Sequence, residues 1–166
     1  MIKILIISLI FNFFSPVYSS SKKDIISQMK ITKNISFNFI QTIGDKNENG
    51  KCIIKYPKKI WCQYDGSNKK IMISNEKSLV IKIENTNIYY RYALNKTPLF
   101  FLLDKEYLLS KLSLLAPREI DDKYINFTFF ENDSEINVFF DKKSSSLVGW
   151  QTEDIYQNLT IIFISS

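Results

Sequence analysis

The sequence predicts a mainly β protein with a few short helices, built on one large antiparallel sheet that is curled or barrel-like. Ten short runs alternate apolar and polar residues, and turn residues interrupt them every eight to twelve positions. All four glycines (44, 50, 66 and 149) fall at or near turns or bends. No internal repeat, heptad or low-complexity tract is visible.

Residues 1–19 read as an export signal. Lys3 supplies the positive end, residues 4–14 the apolar core, and Val17-Tyr18-Ser19 a small-residue cleavage site. The apolar run is too short for a spanning helix, and no cysteine follows it to take a lipid anchor. Residues 20–166 form one domain with enough chain to bury a core. Removing Lys3 leaves a net charge of +4, scattered rather than gathered into a stripe, which argues against a nucleic-acid partner. The many Ile, Lys and Asn residues fit an AT-rich coding sequence, so charge counts guide function poorly. Matches such as Asn126-Phe127-Thr128 are expected by chance in so Asn-rich a chain.

In chain order, residues 22–33 place Ile25, Ile26 and Met29 at helical spacing. Residues 36–43 switch to period two with Phe37 and Phe39 on one face, and 44–50 (GDKNENG) form a polar turn. Runs 51–56 and 59–64, parted by Pro57 and Lys58, make a hairpin. Strands at 70–74, 78–84 and 88–92 continue the meander. Leucines 108, 109, 112 and 115 mark a helix over 105–115 that Pro117 ends. Four further strands follow at 124–130, 135–140, 147–154 and 158–164.

Between the two β-rich halves lies Thr-Pro-Leu-Phe-Phe-Leu-Leu, residues 97–103, read as a short helix with Thr97 as N-cap and Pro98 at the first helical position. It is apolar on every side, so one face packs on the sheet and another needs a partner other than water. An ordinary buried helix satisfies that pattern, and so does a lid over an apolar cavity.

The chain has no histidine, which removes Ser-His-Asp and Cys-His nucleophilic systems and the commonest metal ligand. No zinc spacing or glycine-rich phosphate loop occurs. Asp121 and Asp122 could act as acid and base, but adjacent acids at a helix exit are far more often a solvated turn. No enzyme activity, cofactor or metal is expected. Cys52 and Cys62 sit on the two arms of the hairpin; they can bond only if the register sets them opposite, and otherwise remain two buried thiols.

Several motifs in order are similar to the periplasmic outer-membrane lipoprotein carrier family, LolA. They are Phe39-Ile40-Gln41, the Gly50 strand leading to Lys55-Tyr56-Pro57, the aromatic arm from Trp61 to Tyr64, the Thr97-Pro98 helix and Leu147-Val148-Gly149-Trp150. The resemblance spans nearly all of residues 20–166. It implies an unclosed, strongly curved antiparallel half-barrel covered by a helical lid. It also implies a periplasmic monomer that takes acylated lipoproteins from an ATP-driven inner-membrane release complex to an outer-membrane acceptor, with no nucleotide bound by the carrier. Many family members have an arginine before the proline that is thought to hold the lid closed. Here that position is Tyr56, so the latch must differ, through the Tyr56 hydroxyl or not at all.

A carrier of acyl chains needs an apolar concavity, few polar anchors and a cover that opens at little cost. Phe37, Phe39, Ile54, Tyr56, Cys62 and Tyr64 are the expected walls; Thr97, Pro98, Leu99, Phe100, Leu102 and Leu103 are the expected lid. Plain core packing competes for each of them. The alternative function is a periplasmic scaffold without a lipid cavity, gripping a protein through Tyr89, Tyr90 and Tyr92. An acyl-ester hydrolase lacks a nameable nucleophile.

Overall fold

The computed structural model describes residues 18–154 and 157–165. All but the last two residues of the leader expected over 1–19 lie outside that range. Helix α1 (Tyr18–Ile31) is followed by strands β1 (Asn34–Ile43), β2 (Lys46–Lys55), β3 (Lys59–Tyr64), β4 (Lys70–Asn75), β5 (Ser78–Ile83) and β6 (Ile88–Ala93). A 3-10 turn (Leu94–Lys96) leads into helices α2 (Leu99–Leu103) and α3 (Lys105–Leu114). Strands β7 (Arg118–Ile120), β8 (Tyr124–Glu131), β9 (Ser134–Asp141), β10 (Leu147–Glu153) and β11 (Leu159–Ser165) complete the chain.

All eleven strands form one antiparallel sheet in the order β6-β5-β4-β3-β2-β1-β11-β10-β9-β8-β7. The sheet is not closed: β6 and β7 are its two edges. Two meanders are thus zipped together through β1 and β11, where Phe39 faces Ile164 and Gln41 faces Ile162. Short turns set most of the register. Asn132 and Asp133 (φ 50 and 65) supply the paired positive-φ positions of the two-residue β8–β9 hairpin, and Asp121 and Asp122 (φ 51 and 53) those of the three-residue β7–β8 loop. Asp122 is a solvated turn residue whose carboxylate pairs with Lys142.

Period-two alternation puts one face of each strand inward. On β8 and β9 that face carries Ile125, Phe127, Phe129, Ile136, Val138 and Phe140, all buried. Helices α1 and α3 share their core through Ile25, Met29, Leu108 and Leu112. The two helices are tied at both ends by lysines that donate to orphan helix-terminal carbonyls: Lys22 Nζ to Ser113 O and Leu115 O (2.8 and 2.7 Å), and Lys105 Nζ to Thr32 O (2.9 Å).

Three expectations change. The polar stretch 44–50 is a turn only at its start, and residues 46–50 extend β2 because β1 supplies a ladder partner for each of them. β7 adds an eleventh strand after Pro117. The helix over 105–115 stops at Leu114.

Candidate functional site

A cavity of about 260 Å³ lies between the inner face of the sheet and the start of α2. Its apolar wall is built from alternate residues of six strands: Phe39, Ile60, Met72, Leu79, Trp150 and Ile162. Cys52 and Cys62 stand directly opposite each other on β2 and β3, face the same cavity and are joined by a disulfide. Phe39 meets Tyr64 edge-to-face at 5.0 Å between ring centroids. Gly50 makes room for this pair, since a Cβ there would fall 2.8 Å from the Phe39 ring and 2.3 Å from the Gln63 carbonyl. Phe37, in edge contact with Trp150 at 6.1 Å, marks the border with the filled part of the core.

Thr97, Pro98 and Leu99 roof the cavity. Thr97 does not cap α2. Its hydroxyl donates to the Leu94 carbonyl at 2.8 Å, closing the preceding 3-10 turn, and Pro98 (φ −58, ψ −25) occupies the N-cap position without a side-chain bond. Phe101, Leu102 and Leu103 are buried in the core, with Phe100 half-buried beside them. The all-round apolar character of this helix is therefore met by core on most sides and by the cavity at its first turn.

The far end of α2 is held by the β2–β3 turn. Lys58 N–H donates to Leu103 O at 2.9 Å. Lys58 Nζ pairs with Asp104 at 2.8 Å and sits 4.8 Å from the centroid of the Phe100 ring. Asp104 ends α2 and caps α3 by accepting from Tyr107 N–H. The residue that holds this end of α2 is thus Lys58, one position after the proline. Tyr56 lies in a separate cleft among Thr32, Lys33, Lys55, Pro57 and Lys105. Burial pushes its phenol up to about 12.

One end of the cavity is polar. Tyr64 O–H donates to Gln41 Oε1 at 2.6 Å, and burial, reinforced by the nearby Glu48 carboxylate, holds the Tyr64 phenol well above the usual tyrosine range. Lys70 lies 3.8 Å from the centroid of the Tyr64 ring and pairs with Glu48. Thr152 and Thr160 face each other across β10 and β11, and Glu153 and Asp154 complete the rim.

Of the expected walls, Phe39, Cys62 and Tyr64 line the cavity. Phe37 and Ile54 are buried outside it, and Tyr56 belongs to the other cleft. Of the expected lid, Thr97, Pro98 and Leu99 reach the cavity, whereas Phe100, Leu102 and Leu103 do not line it. Sequence reasoning missed Gln41, Met72, Leu79, Trp150 and Ile162. Parity was the available signal for Gln41, which shares its strand face with Phe39.

The family model described as outer membrane lipoprotein carrier protein LolA matches residues 30–166 of this chain. No curated protein matches it. Among solved structures, the chain is similar to an uncharacterized conserved protein from Thermus thermophilus (TM-score 0.50, 5% identity, 88% of this chain and 83% of that one). It is also similar to a LolA superfamily protein from Nitrosomonas europaea (TM-score 0.42, 7% identity, 90% and 91%). A third likeness is to a putative outer membrane lipoprotein-sorting protein domain from Vibrio parahaemolyticus (TM-score 0.47, 8% identity, 88% and 92%).

Proposed function

The chain belongs to the LolA family of outer membrane lipoprotein carrier proteins, and from that premise we propose that it shelters the acyl chains of lipoproteins in the cavity beneath α2 and carries them across the periplasm. The observation that carries this reading is an apolar cavity set on the inner face of an unclosed sheet and roofed by the first turn of a short helix. Burying one methylene stabilises by about 0.8 kcal/mol, so each acyl chain faces a cost on the order of 10 kcal/mol to enter water unaided. A protein wall of Phe39, Met72, Leu79 and Ile162 substitutes for membrane.

The volume of about 260 Å³ lies just below the range of roughly 300–1,000 Å³ typical of small-ligand sites. A lipoprotein with two or three chains therefore needs α2 to move. Phe101, Leu102 and Leu103 are buried in the core, and exposing each costs about 1.5–3 kcal/mol. The movement is therefore confined to the first turn around Leu99 or is offset by the cargo's own burial. The polar contacts add little. The Lys58–Asp104 pair is partly exposed, and such pairs contribute only about 0–1 kcal/mol. Cargo that binds the open form shifts the equilibrium toward it. In this reading an ATP-driven release complex in the inner membrane loads the carrier, and an acceptor at the outer membrane unloads it. No step requires the carrier to make or break a covalent bond.

The test adds purified protein to spheroplasts synthesising a labelled lipoprotein and measures label recovered as a soluble one-to-one complex. Release that depends on the added protein, and that falls when Leu99→Glu places a charge in the roof, supports the carrier. Label retained in the membrane while a control carrier releases it overturns the reading.

A further inference from the structure

The cavity is divided along its length. The roof residues Thr97, Pro98 and Leu99 follow the end of β6 at which Ala93 pairs with Ser78. The opposite end of the same strands, where Lys70 pairs with Ile83 and Ile83 with Ile88, lies beside the polar group. Register brings that group together from separate strands: Gln41 opposite Ile162, Ile43 opposite Thr160, and Thr160 opposite Thr152. Gln41, Thr152 and Thr160 are each less than a tenth exposed and all face the cavity.

We propose that Gln41, Thr152 and Thr160 form a subsite for the neutral carbonyl groups of acyl esters, and that the Glu153 carboxylate beside them disfavours free fatty-acid carboxylates. This rests on the acyl-binding reading above and adds to it which end of the ligand goes where. The acyl tails lie along Phe39, Met72, Leu79 and Ile162, and the ester groups point toward the open end.

Two features support the assignment. Gln41 Oε1 already accepts the Tyr64 hydroxyl, so what the amide retains for a ligand is its pair of N–H donors. The Thr152 hydroxyl adds a donor of the same neutral kind, and the Thr160 hydroxyl, whose bond to the Asn158 carbonyl is long at 3.4 Å, can turn to a ligand at the loss of that bond. A carbonyl oxygen, an acceptor without charge, matches that set. The charge balance points the same way. The cation at this end, Lys70, is partnered by Glu48, while Glu153 adds a carboxylate to the lining. A ligand carboxylate would enter a field of its own sign, whereas an ester meets no such penalty.

The experiment uses the intrinsic fluorescence of Trp150, which lines the cavity, in a Trp61→Phe background that removes the other tryptophan. Dodecane, methyl laurate and laurate are titrated at pH 8. The expected result is that Gln41→Leu weakens methyl laurate about tenfold, the cost of about one hydrogen bond, and leaves dodecane unchanged. Thr160→Val produces a smaller loss of the same kind and serves if Gln41→Leu disturbs the fold. Glu153→Gln strengthens laurate severalfold without altering methyl laurate. The subsite is overturned if dodecane binds but neither Gln41→Leu nor Thr160→Val separates methyl laurate from dodecane, or if Glu153→Gln leaves laurate unmoved. If dodecane itself does not bind the parent protein, the acyl-binding reading falls and takes the subsite with it.

Discussion

Six inward side chains of β8 and β9, from Ile125 to Phe140, are between 0 and 4% exposed, whereas Ile88 and Tyr90 on the inner face of β6 are 46 and 48% exposed and Met72 and Ile81 before them are half-buried. Both regions are antiparallel strands with the same alternation of apolar and polar residues. What separates them is the layer on top. Helix α3, packed with α1, lies against the first region, where Tyr107 meets the Phe129 ring, while the second is reached by little more than Thr97, Pro98 and the first residue of α2, Leu99. The lesson is that an apolar strand face specifies burial without specifying its occupant. Where this chain supplies helices the face becomes core, and where it does not the face is left for something else to cover.

The contrast can be broken by truncation. Phe127→Ala in the filled region should cost about 3–5 kcal/mol, because a fully buried ring leaves a cavity that its neighbours cannot close. Met72→Ala, beside space that is already empty, should cost less than about 2 kcal/mol by the same reasoning. Urea denaturation of both variants compares them directly, and equal losses would erase the distinction between core and cavity.

The disulfide comes next in size. Replacing Cys52 and Cys62 together by serine should lower stability by about 2–3 kcal/mol, the loop-closure value for a ten-residue separation. Because both sulfurs line the cavity, the variant should also bind alkanes less tightly, which no filled-region variant should do. Calorimetry with and without dodecane separates the two effects.

Smallest is Lys58→Ala. Losing the bonds from Nζ should change global stability by no more than about 1 kcal/mol, since the backbone bond to Leu103 survives. The roof alone should loosen, so amide exchange ought to quicken severalfold in α2 and stay unchanged in α1 and α3. Uniform quickening would mean that Lys58 acts on the whole fold.

Much of the architecture was legible because alternation and turn chemistry are local. The strands beginning at Lys59, Lys70 and Ser78 start where the pattern places them. β7 escaped because three residues after a proline cannot display a period. Residues 46–50 escaped because their polarity reflects an exposed strand end, and only the partner strand β1 makes them β. The site was legible to the extent that parity reaches: Phe39, Cys62 and Tyr64 follow from it, and Gln41 should have. Leu102 and Leu99 could not be told apart, since which side of a wholly apolar helix meets sheet and which meets space is decided by distant residues. Lys58 and Asp104 are separated by four strands and a helix, and nothing local to either announces the pair.

The unpaired edges at β6 and β7 give the molecule a property that a complete barrel lacks. In a complete barrel, strand number and stagger fix the girth, and enlarging the lumen means breaking a backbone ladder. Here the hoop is cut. Its two lips can spread by sliding side chains past one another while all ten strand-to-strand ladders stay intact, so the internal capacity is elastic. On the carrier reading proposed above, a bulkier cargo would be met by a wider arc of the same sheet, without any additional strand.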